Sequence, residues 1–123
     1  MTRTITNVTS SGKQPSGNPL KSTVLSRSLA LPCGATLTNR IAKAAMSEHL
    51  ASGRQGPTER LVRLYGEWAA SGAAMILSGN VMVDPAHLES VRNVAIKSTS
   101  DPEAFRRWAA AGTSGGHHFW MQL

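Results

Sequence analysis

Thr58-Glu59-Arg60-Leu61-Val62-Arg63-Leu64-Tyr65-Gly66-Glu67-Trp68-Ala69-Ala70-Ser71-Gly72-Ala73-Ala74-Met75-Ile76-Leu77 holds two different hydrophobic patterns separated by a glycine. In the first, Leu61, Val62, Leu64, Tyr65, Trp68 and Ala69 recur at the spacing of one face of a helix. Thr58 is placed to cap its N-terminus and Glu59 to complement the positive end of the peptide dipoles. Gly72 suits the left-handed conformation that ends such a helix. Gly66 sits inside it at a cost of about 1 kcal/mol relative to Ala, which predicts close packing on a neighbour. In the second pattern, Ala73 to Leu77, polar alternation is missing, as in a strand covered on both faces. A helix leading straight into such a strand is the repeating unit of a parallel sheet.

The flanking sequence repeats that unit. Upstream, Arg40-Ile41-Ala42-Lys43-Ala44-Ala45-Met46 predicts a buried strand, joined to the helix by a loop that carries Gly53, Gly56 and Pro57. Ahead of it, Ser28-Leu29-Ala30-Leu31 and Ala35-Thr36-Leu37-Thr38 flank Pro32-Cys33-Gly34 and predict a small β-hairpin. Downstream, the chain stays apolar from Val81 to Val83, breaks at Asp84-Pro85 and enters a longer irregular region. Asp101, Pro102 and Glu103 then open a second helix, with Phe105, Trp108, Ala109 and Gly112 on one stripe and Gly115-Gly116 after it. His117 to Leu123 reads as a third, aromatic-rich strand. The order hairpin, β, α, β, α, β belongs to an α/β protein with a parallel sheet, either doubly wound or a (β/α)8 barrel, and sequence order alone leaves both open.

Composition bounds the rest. A chain of 123 residues makes one small domain or part of a larger one, and 41% hydrophobic against 16% charged residues supplies a core. Residues 1–26 hold ten Ser or Thr with Pro15 and Pro19 and no core-forming pattern, so they are expected to be a disordered leader ahead of a domain at 27–123. No apolar run approaches the ~20 residues of a membrane span. The single cysteine, Cys33, forms no internal disulfide, which points to a reducing, cytoplasmic setting, with organelle targeting by the Ser/Thr-rich leader as the other option. The net charge of +6 arises before Glu48, where Arg3, Lys13, Lys21, Arg27, Arg40 and Lys43 meet no acid; from Glu48 onward seven basic residues balance seven acidic ones. Charges strung along a tail and one strand do not make a phosphate-binding surface, so no nucleic-acid partner is expected.

In a parallel sheet, ligands bind beyond the carboxyl ends of the strands. Those ends read Ala44-Ala45-Met46-Ser47, Ser78-Gly79-Asn80 and Gln122. Small residues give a flat ring access to the backbone, and a carboxamide offers a donor and an acceptor side by side, as the pyrimidine edge of a flavin requires. His117 and His118 point to opposite faces of a strand and cannot share a metal, so no metal site is expected. His49, on the loop after the first strand, reads as a solvated histidine near the rim.

The run Leu31-Pro32-Cys33-Gly34-Ala35-Thr36-Leu37-Thr38-Asn39-Arg40-Ile41-Ala42-Lys43-Ala44-Ala45-Met46-Ser47, then Leu64-Tyr65 through Ser78-Gly79-Asn80-Val81, then Phe119-Trp120-Met121-Gln122-Leu123, resembles the start of the Old Yellow Enzyme family of FMN-dependent NAD(P)H oxidoreductases. The resemblance covers about three quarters of the chain in ordered segments of compatible spacing. It implies the N-terminal part of a (β/α)8 TIM barrel, a hairpin followed by about three βα units. By position it assigns flavin contacts to Ala44, Ala45, Met46 and Ser47, the pyrimidine edge to Gly79, and a hydrogen bond to that edge to Gln122. Ala45 stands where members usually have proline, and Ser47 where they often have threonine or cysteine. The implied partners are FMN, NAD(P)H and a small unsaturated carbonyl compound. A closed barrel needs eight strands and ~250 residues, so the chain is expected to be an incomplete, truncated barrel without catalytic residues and inactive in isolation. The alternative expectation is a non-catalytic interaction fragment that self-associates through an unpaired strand edge.

Overall fold

The computed structural model describes residues 23–123. The expected leader lies outside the described residues as far as position 22; from there Val24–Ser26 form a 3-10 turn, and the Leu25 carbonyl accepts from the Arg40 amide at 2.8 Å. Strands β1 (Leu29–Ala30) and β2 (Thr36–Leu37) form the expected antiparallel hairpin, with Leu29 opposite Leu37. Four further strands, β3 (Ala42–Lys43), β4 (Met75–Met82), β5 (Val94–Ala95) and β6 (His118–Gln122), build a parallel sheet in which every other strand pairs with β4. Helices α1 (Glu59–Ala70) and α2 (Pro102–Gly112) carry the chain from β3 to β4 and from β5 to β6.

Both helices start as the sequence predicts. The Thr58 hydroxyl accepts from the Leu61 amide at 3.4 Å and donates to the Leu50 carbonyl at 2.7 Å, and the Asp101 carboxylate accepts from the Glu103 amide at 2.9 Å. Gly72, at φ +85°, takes the chain out of α1. The helices share one face of the sheet. Tyr65 of α1, Trp108 of α2 and Phe119 of β6 meet as a ring cluster with centroids 4.9–5.3 Å apart, packed with Leu61 of α1 and Ile76 of β4. Edge-on ring contacts of this kind contribute about 0.5–1.5 kcal/mol each beyond the area they bury.

The strands depart from the sequence reading in four places. β3 is two residues long and half-exposed, because the chain leaves the ladder after Lys43 and crosses over β4. β4 does not end at Ser78-Gly79-Asn80 but runs through it to Met82. Its pairing with β6 shifts register between Leu77 and Asn80, and there the buried Ser78 hydroxyl accepts from the Gln122 amide at 2.9 Å while donating to the Gly79 carbonyl at 2.7 Å. A side chain thus supplies the rung that the bulge removes. The irregular region contains β5, paired through Val81 with Val94 and Met82 with Ala95. Burial along β4 also alternates: Ile76 and Ser78 are fully buried while Met75 and Leu77 are half-buried, and Trp120, in register with Leu77, is 47% exposed.

Gly66 has no neighbour where a side chain would project, so close packing does not explain it. Gly112 does have one, since a Cβ there would lie 2.7 Å from the Phe119 ring and 3.2 Å from its Cβ. The two glycines of the helices therefore respond oppositely to alanine. Gly66→Ala is expected to stabilise the fold by about 0.5–1 kcal/mol through helix propensity. Gly112→Ala is expected to destabilise it, because overpacking of about 1–3 kcal/mol outweighs the same gain. Denaturant midpoints of the two variants check this; a rise for Gly112→Ala contradicts the packing.

Candidate functional site

Parallel pairing to β4 brings the carboxyl ends of β3, β4 and β6 to one end of the sheet. Of the six residues singled out there, Met46 and Gly79 are in direct contact, and Gln122 is held beside them through its backbone bond to Ser78. A Cβ on Gly79 would overlap the Met46 carbonyl, and the Gln122 amide bonds the hydroxyl of Ser78, next to Gly79. Ala44, Ala45 and Ser47 follow β3 directly, Ala45 and Ser47 half-buried and Ala44 exposed. Met46 is 53% exposed, and Gln122 is exposed at the end of β6. Gly79 is buried, and its missing side chain makes room for the Met46 backbone. Both of its polar backbone groups are engaged within the chain.

Sequence reasoning missed the group that organises this rim. Glu48 lies two residues after Met46, and its Oε1 accepts from the Tyr65 hydroxyl and from the Gly79 amide, the latter at 3.1 Å. The Tyr65 oxygen lies 3.2 Å from the same amide, which is shared between them. Lys43 Nζ lies 3.9 Å from Glu48 Oε1, donates to the Leu77 carbonyl at 3.0 Å and stands 4.0 Å from the centroid of the Trp68 ring. Lys43, unmatched in the linear charge pattern, is thus matched in space. A lysine inside the apolar run from Ile41 to Met46 was the available signal, because a charge carried under a helix needs a partner.

Burial pushes the Tyr65 phenol well above its ordinary range, and the adjacent Glu48 carboxylate adds to this by hydrogen bond and charge, while the Gly79 amide opposes it. Burial draws the Lys43 ammonium below its ordinary value, with Glu48 opposing. His49 is exposed on the rim loop at φ +53°, His118 Nε2 approaches the Thr36 carbonyl of the hairpin at 3.3 Å, and Cys33 is exposed in the hairpin turn. Among the described residues no three His, Cys, Asp or Glu side chains cluster as a metal site would require, and no helix is long and apolar enough to cross a membrane. An apolar groove of about 510 Å³ lies between α2 and β6, lined by Ile96, Phe105, Trp108, Phe119 and Met121 among others, and includes none of the six rim residues.

Tyr65 is the only tyrosine of the chain, so phenolate absorbance reports it alone. Its value is higher folded than unfolded, so its contribution to stability is complete below about pH 10 and is lost as pH rises toward the folded value. Lys43 acts in the opposite sense, which makes the phenolate signal the cleaner readout. Phenolate is expected to appear only as the far-ultraviolet circular dichroism collapses. Ionisation near pH 10 with the fold intact contradicts the buried network.

No protein-family model matches the chain. It is 41% identical over 99 residues to an NADH-dependent flavin oxidoreductase of Neonectria sp. (strain DH2), covering 77% of this chain and 13% of that protein. It is 37% identical over 103 residues to an NADH-dependent flavin oxidoreductase of Talaromyces variabilis, covering 80% of this chain and 25% of that one. The structure of the old yellow enzyme from Trypanosoma cruzi superposes with a TM-score of 0.72 at 26% identity, over 81% of this chain and 26% of its own. The chain therefore spans a quarter or less of the curated relatives it matches. Its hairpin and open parallel sheet correspond to part of the barrel of the old yellow enzymes, and over these residues the chain is similar to the N-terminal region of that family of flavin oxidoreductases.

Proposed function

We propose that the chain forms one wall of an FMN site in an oxidoreductase that takes electrons from NADH or NADPH and passes them to a small unsaturated carbonyl compound. The observation that carries this reading is that Met46, Gly79 and Gln122, from three separate segments, lie together where β3 and β6 end beside β4, Met46 against Gly79 and Gln122 bonded to the adjacent Ser78. The residues present suit the group. The half-exposed Met46 side chain offers an apolar surface to a ring face, and Ala44 and Ala45 leave the backbone accessible. The exposed Gln122 carboxamide offers the paired donor and acceptor that the pyrimidine edge needs, and Ser47 adds a hydroxyl. Gly79 acts through the position that it gives Met46.

FMN, when bound, supplies hydride transfer between the nicotinamide and the alkene. The chain's own residues orient the ring and shield part of it from water. Among the described residues β3 and β6 each pair on one edge only, so solvent competes for these contacts and a charge-assisted grip worth about 1.5–3 kcal/mol per hydrogen bond has yet to be added. The 123-residue polypeptide on its own is thus a weak flavin binder without turnover. A second reading, a non-catalytic module that self-associates, draws on Trp120, Met121 and Leu123, all exposed along or just past the open edge of β6.

Flavin fluorescence, NADH consumption with an enone, and sedimentation of the purified chain separate these readings. Saturable quenching with a Kd weaker than about 1 μM, no enone-dependent NADH consumption and a monomer are expected. Stoichiometric tight binding or turnover contradicts the open site. Concentration-dependent dimers without quenching favour the second reading.

A further inference from the structure

We propose that Glu48 is a positioning residue, whose carboxylate holds the loop after β3 against β4 and so sets the separation of Met46 and Gly79 at the rim. Four elements meet at this side chain. Its Oε1 takes hydrogen bonds from Tyr65 of α1 and from the Gly79 amide of β4, and the same oxygen faces Lys43 of β3, while Glu48 itself belongs to the loop. The carboxylate is 10% exposed, so the contacts are made away from competing water. Two residues earlier, the Met46 carbonyl fills the place that a side chain on residue 79 would take. The peptide from Met46 to Glu48 is therefore pinned at both ends, by van der Waals contact at one and by the carboxylate at the other. With the Gly79 amide spent on Glu48 and Tyr65 and its carbonyl on Ser78, that residue turns no hydrogen-bonding group outward. Recognition at this part of the rim is left to Met46 and Gln122. Lys43 has a matching duty: it carries the counter-charge, and its bond to the Leu77 carbonyl keeps it in place under Trp68.

The ligand in this account is the FMN of the proposed function, whereas the clamp itself can be read without it. Backbone amide exchange and chemical shifts in the 123-residue chain report the clamp, and flavin fluorescence reports its consequence. Glu48→Ala is expected to speed exchange of the Gly79 amide at least tenfold, to move the Met46 and Ser47 amide resonances and to weaken FMN binding about tenfold, leaving α2 amides unchanged. Glu48→Gln, which keeps an acceptor oxygen, is expected to restore most of each. Should Glu48→Ala fail to fold, Tyr65→Phe keeps the ring packing and is expected to shift all three readouts in the same direction by a smaller factor. Faster Gly79 exchange with FMN affinity within twofold of the parent means a merely structural role and overturns the proposal, as does failure of Glu48→Gln to rescue. If the parent chain shows no flavin quenching, the flavin reading fails by itself, and unmoved Met46 and Ser47 resonances in Glu48→Ala then overturn the positioning role as well.

Discussion

Strand β4 is the constraint from which the rest of the structure follows. It pairs in parallel with β3, β5 and β6, and parallel pairing cannot be closed by a tight turn. The chain must therefore cross over between strands, which accounts for α1 and α2 and for their common seat on one face of the sheet. That seat is apolar because Ile76 and Phe119 are in register on it and meet Tyr65 and Trp108 from above. The same pairing aligns the carboxyl ends of the strands, so residues far apart in sequence reach one rim. Ser78 keeps β4 whole where its register with β6 changes.

Above this scaffold the loops are tied to one another. The Ala51 amide donates to the Arg92 carbonyl at 3.1 Å, the Arg92 guanidinium returns a bond to the Ala51 carbonyl at 3.2 Å, and the Ala95 amide donates to the Gln55 carbonyl at 2.8 Å. Lys97 Nζ adds a bond to the Gln55 side chain at 3.0 Å. The segments after β3 and β4 thus form a single wall, held inward by the Glu48 network. Contact geometry at a binding site is as good as the shell that supports it, and here that shell is made of backbone bonds, the Arg92 and Lys97 side-chain bonds and the enclosed Glu48 carboxylate.

Much of this was legible in the residues. The helix from Thr58 to Gly72 shows its caps and its face in the linear pattern, and so does the helix opened by Asp101-Pro102. The convergence of Met46, Gly79 and Gln122 followed from counting strands. What escaped was set by tertiary contacts. Ser78-Gly79-Asn80 looks like a strand end because a buried serine completing a ladder has no local signature. β5 has two residues and borrows its regularity from Val81 and Met82. The partnership of Lys43 with Glu48 crosses a bend in the chain and is invisible to a charge count. A glycine at position 79 signals a close approach, and the group that approaches is the chain's own Met46 carbonyl.

The central claim is that the carboxyl rim of the sheet, and not the apolar groove between α2 and β6, is the surface that meets a flavin. Amide chemical-shift mapping of the 123-residue chain during titration with FMN tests it most directly. The account predicts that the largest shifts fall on Met46, Ser47, Gly79 and Gln122, with the hairpin from Leu29 to Leu37 unmoved. Shifts centred on Ile96, Phe105 and Phe119 with the rim silent would contradict it.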